Sequence, residues 1–215
     1  MSLDEYFSLC FTLDLNLQPR TSGEYQLRHW MYTTGSMMPI VPTTIQASLN
    51  GYEYRTVTME RDFSIYEIWR GNQCIMSNIG VELFPLYIPY QRARGNVLLG
   101  GLGVGFLAQM LCSKENVKNV TVVEFSRDVI DLCSFSHEKI NIIHEDFYEY
   151  LTKQELSRFD YIYFDTFSDG LNHYSSIVIP MRKFLLERYP VIPFDFWNED
   201  QMKMEYLKEK FKQNF

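Results

Sequence analysis

The chain has 215 residues, a hydrophobic fraction of 46% and a formal net charge of −7, which suits one well-cored domain with an appendage. This acidic balance, without a block of lysines and arginines, argues against non-specific binding of nucleic acid, and no apolar run approaches the roughly 20 residues of a membrane span. The four cysteines show no C-x-x-C spacing and indicate reduced thiols, so we expect a cytoplasmic protein without nucleic-acid or membrane partners.

The first part of the chain gives the weakest signal for secondary structure, because prolines and glycines divide it into short pieces. We interpret Gln26–Tyr32 as one or two helical turns and Met37–Pro42 as an extended loop. The alternating run Phe63–Trp69 and the run Cys74–Ser77 then flank a glycine-containing turn, which predicts a β-hairpin. We assign residues 1–77 to an N-terminal extension, which could cover a substrate cleft as a lid or simply pack against the next domain.

The next segment, Val81–Arg94, predicts a short or broken helix, since Pro85 and Pro89 lie inside it and proline interrupts the helical hydrogen-bond ladder. After it, strands and helices alternate. The predicted strands are, in chain order, Val97–Gly100, Val120–Glu124, Ile140–Ile143 and Tyr161–Phe164. The predicted helices cover about 103–113, a segment that begins at Ser126, about 146–156, and part of 172–188.

A fifth strand is expected within Val191–Trp197, where Pro193 would confine it to an edge; Asn198 then opens a last helix. This alternation predicts an α/β, Rossmann-like fold over residues 78–215, with a mostly parallel sheet and helices on both faces. Right-handed crossovers place the carboxyl ends of such strands, and hence the ligand, at one edge of the sheet.

A glycine-rich turn follows the first of these strands, with four glycines within six residues, at 100, 101, 103 and 105. A strand, a tight glycine turn and a helix present backbone N–H groups to an anionic or nucleotide ligand. Phe106 stands where a dinucleotide fingerprint would have its third Gly or Ala. Glu124, nineteen residues past Gly105, is placed where a carboxylate can accept both hydroxyls of a ribose; the alternative is a solvated residue at the start of a loop.

Leu98–Gly105, Val122–Glu124 and His144–Phe147 together resemble, in order and spacing, successive motifs of class I S-adenosylmethionine-dependent methyltransferases. The resemblance covers roughly residues 78–170 and implies S-adenosylmethionine as the cofactor. The residues that would contact it are Gly101, Gly103, Gly105, Glu124, Asp146 and Phe147. The three glycines would pass under the methionine and ribose, the glutamate would take the ribose hydroxyls, and the last two would flank the adenine. For Asp146, a helix N-cap is the alternative role.

The fourth strand ends at Asp165, within the segment Phe159–Phe167. This segment is similar to the Tyr-Asp-Thr-Tyr segment of guanidinoacetate methyltransferases and to the Asp-Ser-Ser-Asp of spermidine synthases. In both, the first aspartate faces the attacking nitrogen, and Asp165 is the matching position. A carboxylate there can hold an amine or guanidinium by charge-assisted hydrogen bonds and take its proton; an aspartate that only caps a loop is the alternative. Asp169 could supply a second negative contact.

Two features depart from these families. Guanidinoacetate methyltransferases carry acidic residues just before the first core helix, where this chain has Ser77–Gly80, and Glu82 is only an approximate substitute. The C-terminal part lacks the Pro-Gly-Gly turn and the closing β-hairpin of the superfamily. We therefore expect a sheet that is truncated there or completed by a partner chain, with a homodimer as one candidate assembly.

The sequence thus predicts an S-adenosylmethionine-dependent methyltransferase that acts on a nitrogen or oxygen nucleophile of a small molecule or protein, with Asp165 as the catalytic residue. One alternative is a spermidine synthase-like aminopropyltransferase that uses decarboxylated S-adenosylmethionine. Gly100 and Leu102 offer no acid to favour that donor. A second alternative is a non-catalytic protein that binds a nucleotide or a partner. The histidines lack metal-ligand spacing, so no metal is expected.

Overall fold

The computed structural model describes residues 1–40, 55–166 and 173–212. The helices are α1 (Leu3–Cys10), α2 (Gly80–Leu83), α3 (Tyr87–Arg92), α4 (Phe106–Cys112), α5 (Arg127–Cys133), α6 (Phe147–Lys153), α7 (Ile179–Arg188) and α8 (Glu199–Lys212). The strands are β1 (Arg20–Ser22), β2 (Tyr25–Tyr32), β3 (Met37–Ile40), β4 (Arg55–Thr58), β5 (Phe63–Arg70), β6 (Gln73–Ser77), β7 (Gly95–Gly100), β8 (Val117–Glu124), β9 (Ile140–His144), β10 (Tyr161–Phe164) and β11 (Phe194–Phe196). A 3₁₀ turn covers Phe84–Leu86, and a π-helical turn covers Tyr174–Val178.

The main sheet is parallel, with the strand order β11-β10-β7-β8-β9. If the strands are numbered along the chain from β7 and the sheet is read from β9, the order is 3-2-1-4-5. These are the first five strands of the order 3-2-1-4-5-6 found in doubly wound nucleotide-binding domains. The α/β, Rossmann-like fold predicted from the sequence is therefore confirmed. The direction of winding reverses between β7 and β10, which is where such sheets bind their ligands. β11 lies at the edge, as Pro193 predicted.

The central strands form two apolar cores because successive side chains of a strand point to opposite faces of the sheet. One core contains Leu99 and Tyr163, whereas the other contains Leu98, Ile162 and Phe164. All of these side chains are almost fully buried. Burial on both faces explains why the strands are continuous apolar runs in the sequence rather than alternating ones.

The N-terminal part folds as a second, antiparallel sheet with the order β1-β2-β5-β6. The interpretation of Gln26–Tyr32 as helical turns is wrong, because β2 pairs with β5 along all of its eight residues, from Tyr25 opposite Arg70 to Tyr32 opposite Phe63. The His29 ring of β2 stacks on the Tyr66 ring of β5, with centroids 4.8 Å apart, and such cross-strand pairs stabilise a sheet. The first part of the expected loop is also a strand, since β3 pairs with β4; residues 41–42 lie outside the described residues.

The two segments that precede the main sheet match the sequence pattern. β5 and β6 form the predicted antiparallel hairpin, with Gly71 in its turn at a φ of 59°. The predicted broken helix is divided into α2, the 3₁₀ turn that contains Pro85, and α3, which contains Pro89. The Tyr6 hydroxyl of α1 donates to the Leu83 carbonyl at 2.9 Å, which fixes the N-terminal helix against this segment. Over the described ranges, no helix is both long and apolar enough to cross a membrane.

Candidate functional site

A cavity of about 650 Å³ lies at the carboxyl ends of β7, β8 and β10, beside the point where the winding of the sheet reverses. Its floor contains Gly101, Gly103, Glu124 and Asp165. Strand β6 of the antiparallel sheet forms one wall, and the connection from β11 to α8 forms another together with the first turns of α8. The structure thus brings together four of the residues that the sequence predicted for the site.

The glycine turn adopts backbone conformations that favour glycine. Gly101, Gly103 and Gly105 have φ angles of 92°, 56° and 79°, in the left-handed region where a Cβ is strained. At Gly101 a Cβ would also stand 2.2 Å from the carbonyl oxygen of Asp165, so glycine is needed for the close approach of these two strand ends. Gly105 occupies the N-cap position of α4 and is not part of the cavity lining, so its contact with the cofactor stays a prediction.

Glu124 connects the end of β8 to the glycine turn. Its side chain is 8% exposed; Oε2 accepts a hydrogen bond from the Leu102 N–H at 2.8 Å, and Oε1 accepts one from the Ser126 N–H at 2.8 Å. Burial raises the pKa of this carboxyl, and the backbone donors oppose that shift. Each carboxylate oxygen has a further lone pair, so Glu124 can both hold the turn and accept a ribose hydroxyl; the second role stays a prediction.

Asp165 directly follows β10, and its backbone N–H donates to the Gly100 carbonyl at 2.9 Å. The side chain is open to the cavity, yet protein atoms surround it closely. This desolvation, followed by the charges of Glu82 and Glu124, raises the pKa of Asp165 to about 7. Burial also raises the pKa of Glu82. Asp165 is therefore poised to bind or release a proton near neutral pH.

The cavity is acidic. Glu82, Glu124, Asp165 and Glu205 all line it, and its described lining contains no lysine or arginine. Opposite charge stabilises ionised carboxylates, whereas like charge and desolvation disfavour them. The arrangement therefore suits a ligand or a pair of ligands with positive charge.

Sequence reasoning missed several residues of this site. Tyr163 is 1% exposed and lines the cavity, and its hydroxyl has no hydrogen-bond partner among the described residues. The wall residues Trp197, Asn198 and Gln201 were also missed, because the sequence indicated only a helix start at Asn198 and no ligand contact. Tyr163 could have been found, because it lies in β10 two positions before Asp165, and side chains two positions apart along an extended chain point to the same side.

Asp146 and Phe147 do not line the cavity. Asp146 is the N-cap of α6, where its Oδ1 accepts from the Glu149 N–H at 2.9 Å. The helix N-cap, which was the alternative role for this residue, is therefore present. Phe147 is 3% exposed and packs under Gly100, where a Cβ would come within 2.3 Å of its ring. The contacts of both residues with adenine stay predictions. Asp169 lies outside the described residues.

No protein-family model matches the chain, and no curated protein matches it. Solved structures do. A spermidine synthase in complex with the transition-state analogue AdoDATO is 16% identical, with a TM-score of 0.41, over 83% of this chain and 64% of that chain. The spermidine synthase from Thermotoga maritima is 16% identical, with a TM-score of 0.40 and the same coverage of 83% and 64%. A putative methyltransferase from Porphyromonas gingivalis W83 is 20% identical, with a TM-score of 0.37, over 51% of this chain and 29% of that chain.

The chain spans 64% of the length of these two spermidine synthases. In fold, the chain is similar to these two spermidine synthases and to that putative methyltransferase. The likeness is one of fold, and the activity has to be argued from the cavity itself.

Proposed function

We propose that the protein is a transferase that binds an adenosyl sulfonium donor at the glycine turn and passes an alkyl group of that donor to an amine. The observation that supports this proposal is the acidic cavity, in which Glu82, Glu124 and Asp165 lie beside the turn without a described lysine or arginine. A sulfonium and a protonated amine are both cations, and carboxylates stabilise both. Of the nucleophiles that the sequence allowed, this charge favours nitrogen over oxygen.

Transfer of the methyl group of S-adenosylmethionine is the first candidate reaction. Asp165 would hold the acceptor as an ammonium ion and take one of its protons, which frees the nitrogen lone pair. The nitrogen then attacks the methyl carbon in line, the bond from carbon to sulfur breaks, and its electron pair stays on the sulfur of the neutral thioether. Because the sulfonium is already a good leaving group, proximity and orientation would supply most of the acceleration.

Transfer of an aminopropyl group is the second candidate, and one observation favours it. The methionine part of S-adenosylmethionine carries a carboxylate, for which the described lining offers no cationic side chain but does offer Glu82 and Glu205. Decarboxylated S-adenosylmethionine carries only the ammonium at that end. The lack of an acid at Gly100 and Leu102 favours the intact donor, so the two candidates need a direct test.

That test is calorimetric titration with S-adenosylmethionine, its decarboxylated form and S-adenosylhomocysteine, using the wild type, Glu124→Gln and the matched control Glu115→Gln. Glu115 is exposed, between α4 and β8. Micromolar binding of the intact donor that Glu124→Gln weakens and Glu115→Gln does not would support methyl transfer. A preference for the decarboxylated donor would support aminopropyl transfer. If none of the three compounds binds, both candidates are wrong.

Turnover can then be measured with the preferred donor and a panel of small amines, by mass spectrometry of the products. We expect Asp165→Asn to abolish formation of the alkylated amine while the donor still binds. A variant that turns over at the wild-type rate would remove Asp165 from the proposed mechanism.

A further inference from the structure

A second cavity, of about 540 Å³, lies at the opposite edge of the main sheet. It is lined by residues that precede β7, β10 and β11 and by the end of α7. We infer that this cavity binds a small organic anion, a carboxylate or a phosphate monoester that carries an apolar group. The inference does not depend on the proposed function, because the first cavity lies at the other ends of the same strands.

The two carboxylates that line the second cavity accept hydrogen bonds from the backbone, so the arginines of the cavity remain available to a ligand. Asp160 lines it, but its Oδ2 accepts from the Asn96 N–H at 2.7 Å. Glu155 also lines it; its Oε1 accepts from the Ser157 N–H at 3.1 Å, and the charge of Arg188 acts on it as well. Both carboxylates are thus engaged by neighbouring groups of the protein.

Two arginines, Arg94 and Arg188, also line the cavity. Arg94 makes no hydrogen bond or ion pair with any residue that the structure describes, and Arg188 contacts the rings of Phe184 and Tyr189 with its guanidinium. A guanidinium presents five N–H donors in a planar fork that matches a carboxylate or phosphate. Arg94 in particular keeps its full donor capacity for a ligand.

The remaining lining adds a polar and an apolar feature. Tyr189 is 7% exposed, and its buried hydroxyl has no partner within the described part of the chain, although buried polar groups are normally paired. An acceptor oxygen of a ligand would supply one. Phe159 and Ile192, 6% and 7% exposed, provide apolar walls. The ligand should therefore combine an anionic group with a ring or a short aliphatic chain.

The inference is tested by titrating the protein with phenyl phosphate and with benzoate, which show whether the bound anion is a phosphate or a carboxylate. Inorganic phosphate and phenol, the anionic and the aromatic parts of phenyl phosphate, are titrated separately for comparison. We expect saturable binding of at least one aromatic anion, tighter than that of either part. Arg94→Gln should weaken it about tenfold because a charge-assisted hydrogen bond is lost, whereas Arg127→Gln, an exposed arginine on α5, should not.

Tyr189→Phe is the second variant, since it keeps the ring and removes only the hydroxyl. It should weaken the same aromatic anion severalfold while S-adenosylmethionine binding stays unchanged. Absence of saturable binding by both aromatic anions, or equal affinities in Arg94→Gln and the wild type, would overturn the inference.

Discussion

Replacing Asp165 by Asn is expected to stabilise the protein above neutral pH and to change its stability little at acid pH. Desolvation and the charges of Glu82 and Glu124 raise the pKa of this carboxyl from 3.8 to about 7. Between these values the folded protein holds a proton that the unfolded chain has lost, so the free energy of unfolding falls as the pH rises. The destabilisation is complete above about pH 7 and absent below about pH 4.

The size of the effect follows from the shift in pKa. A rise of about 3 units, at roughly 1.4 kcal/mol each, would give a ceiling near 4 kcal/mol. The Asp165 side chain is open to water in the cavity, and solvent screens such a charge, so we expect a gain of about 1–2 kcal/mol at pH 8. Asparagine keeps the size of the side chain and removes its charge.

Urea denaturation of the wild type and Asp165→Asn at pH 4.5 and pH 8 measures this difference. Asp131→Asn is the matched control, because Asp131 is a half-exposed residue that pairs with Arg127 on α5. Asp165→Asn should be more stable than the wild type at pH 8 and similar to it at pH 4.5. Equal stability at pH 8, or the same gain at both pH values, would show that the charge of Asp165 does not destabilise the fold.

Three further predictions concern the same cavity. Gly101→Ala should lower the free energy of unfolding by about 2–4 kcal/mol, because a Cβ would stand 2.2 Å from the Asp165 carbonyl oxygen. At Gly103 a Cβ would meet nothing nearer than 3.8 Å. Gly103→Ala should therefore lower it only by the left-handed backbone strain of about 1–2 kcal/mol. Equal losses in urea denaturation would contradict this. Glu124→Gln should weaken donor binding at least tenfold in calorimetry, since a charged acceptor becomes neutral. The affinity for a sulfonium donor should rise as the pH passes through about 7 and Asp165 ionises, and Asp165→Asn should remove this dependence.

The main sheet could be predicted from the sequence because its central strands β7 and β10 are buried apolar runs and because helices separate the strands. Two of these helices have clear N-caps, such as Ser126, which accepts from the Val129 N–H. The antiparallel sheet could not, since its strands owe their conformation to distant partners. In β2, Leu27 lies opposite Ile68, and nothing near Leu27 in the chain indicates this pairing. Tertiary pairing therefore decided between strand and helix where local propensity was ambiguous.

The site shows the same division. The topology rule that places ligands at the carboxyl ends of parallel strands was sufficient to bring Gly101, Glu124 and Asp165 together. No such rule predicts the residues of the cavity walls. The position of β6 depends on how the antiparallel sheet packs on the main sheet, and the position of Trp197 depends on the length of the connection after β11. Glu82, named from the sequence only as an approximate substitute, enters the site through the irregular helix that begins at Gly80.

Four acidic side chains among the described residues differ in how their charge is compensated. Asp146 and Asp160 each accept a hydrogen bond from a backbone N–H, at 2.9 and 2.7 Å, and so stabilise a helix start and a strand start. The Asp165 and Glu82 side chains accept no hydrogen bond from the residues that the structure describes, although protein surrounds both and raises the pKa of each. Uncompensated carboxylates in one cavity destabilise the empty protein. A bound cation would reverse that effect, which is why we assign Asp165 and Glu82, and not Asp146 and Asp160, to the positively charged part of the ligand.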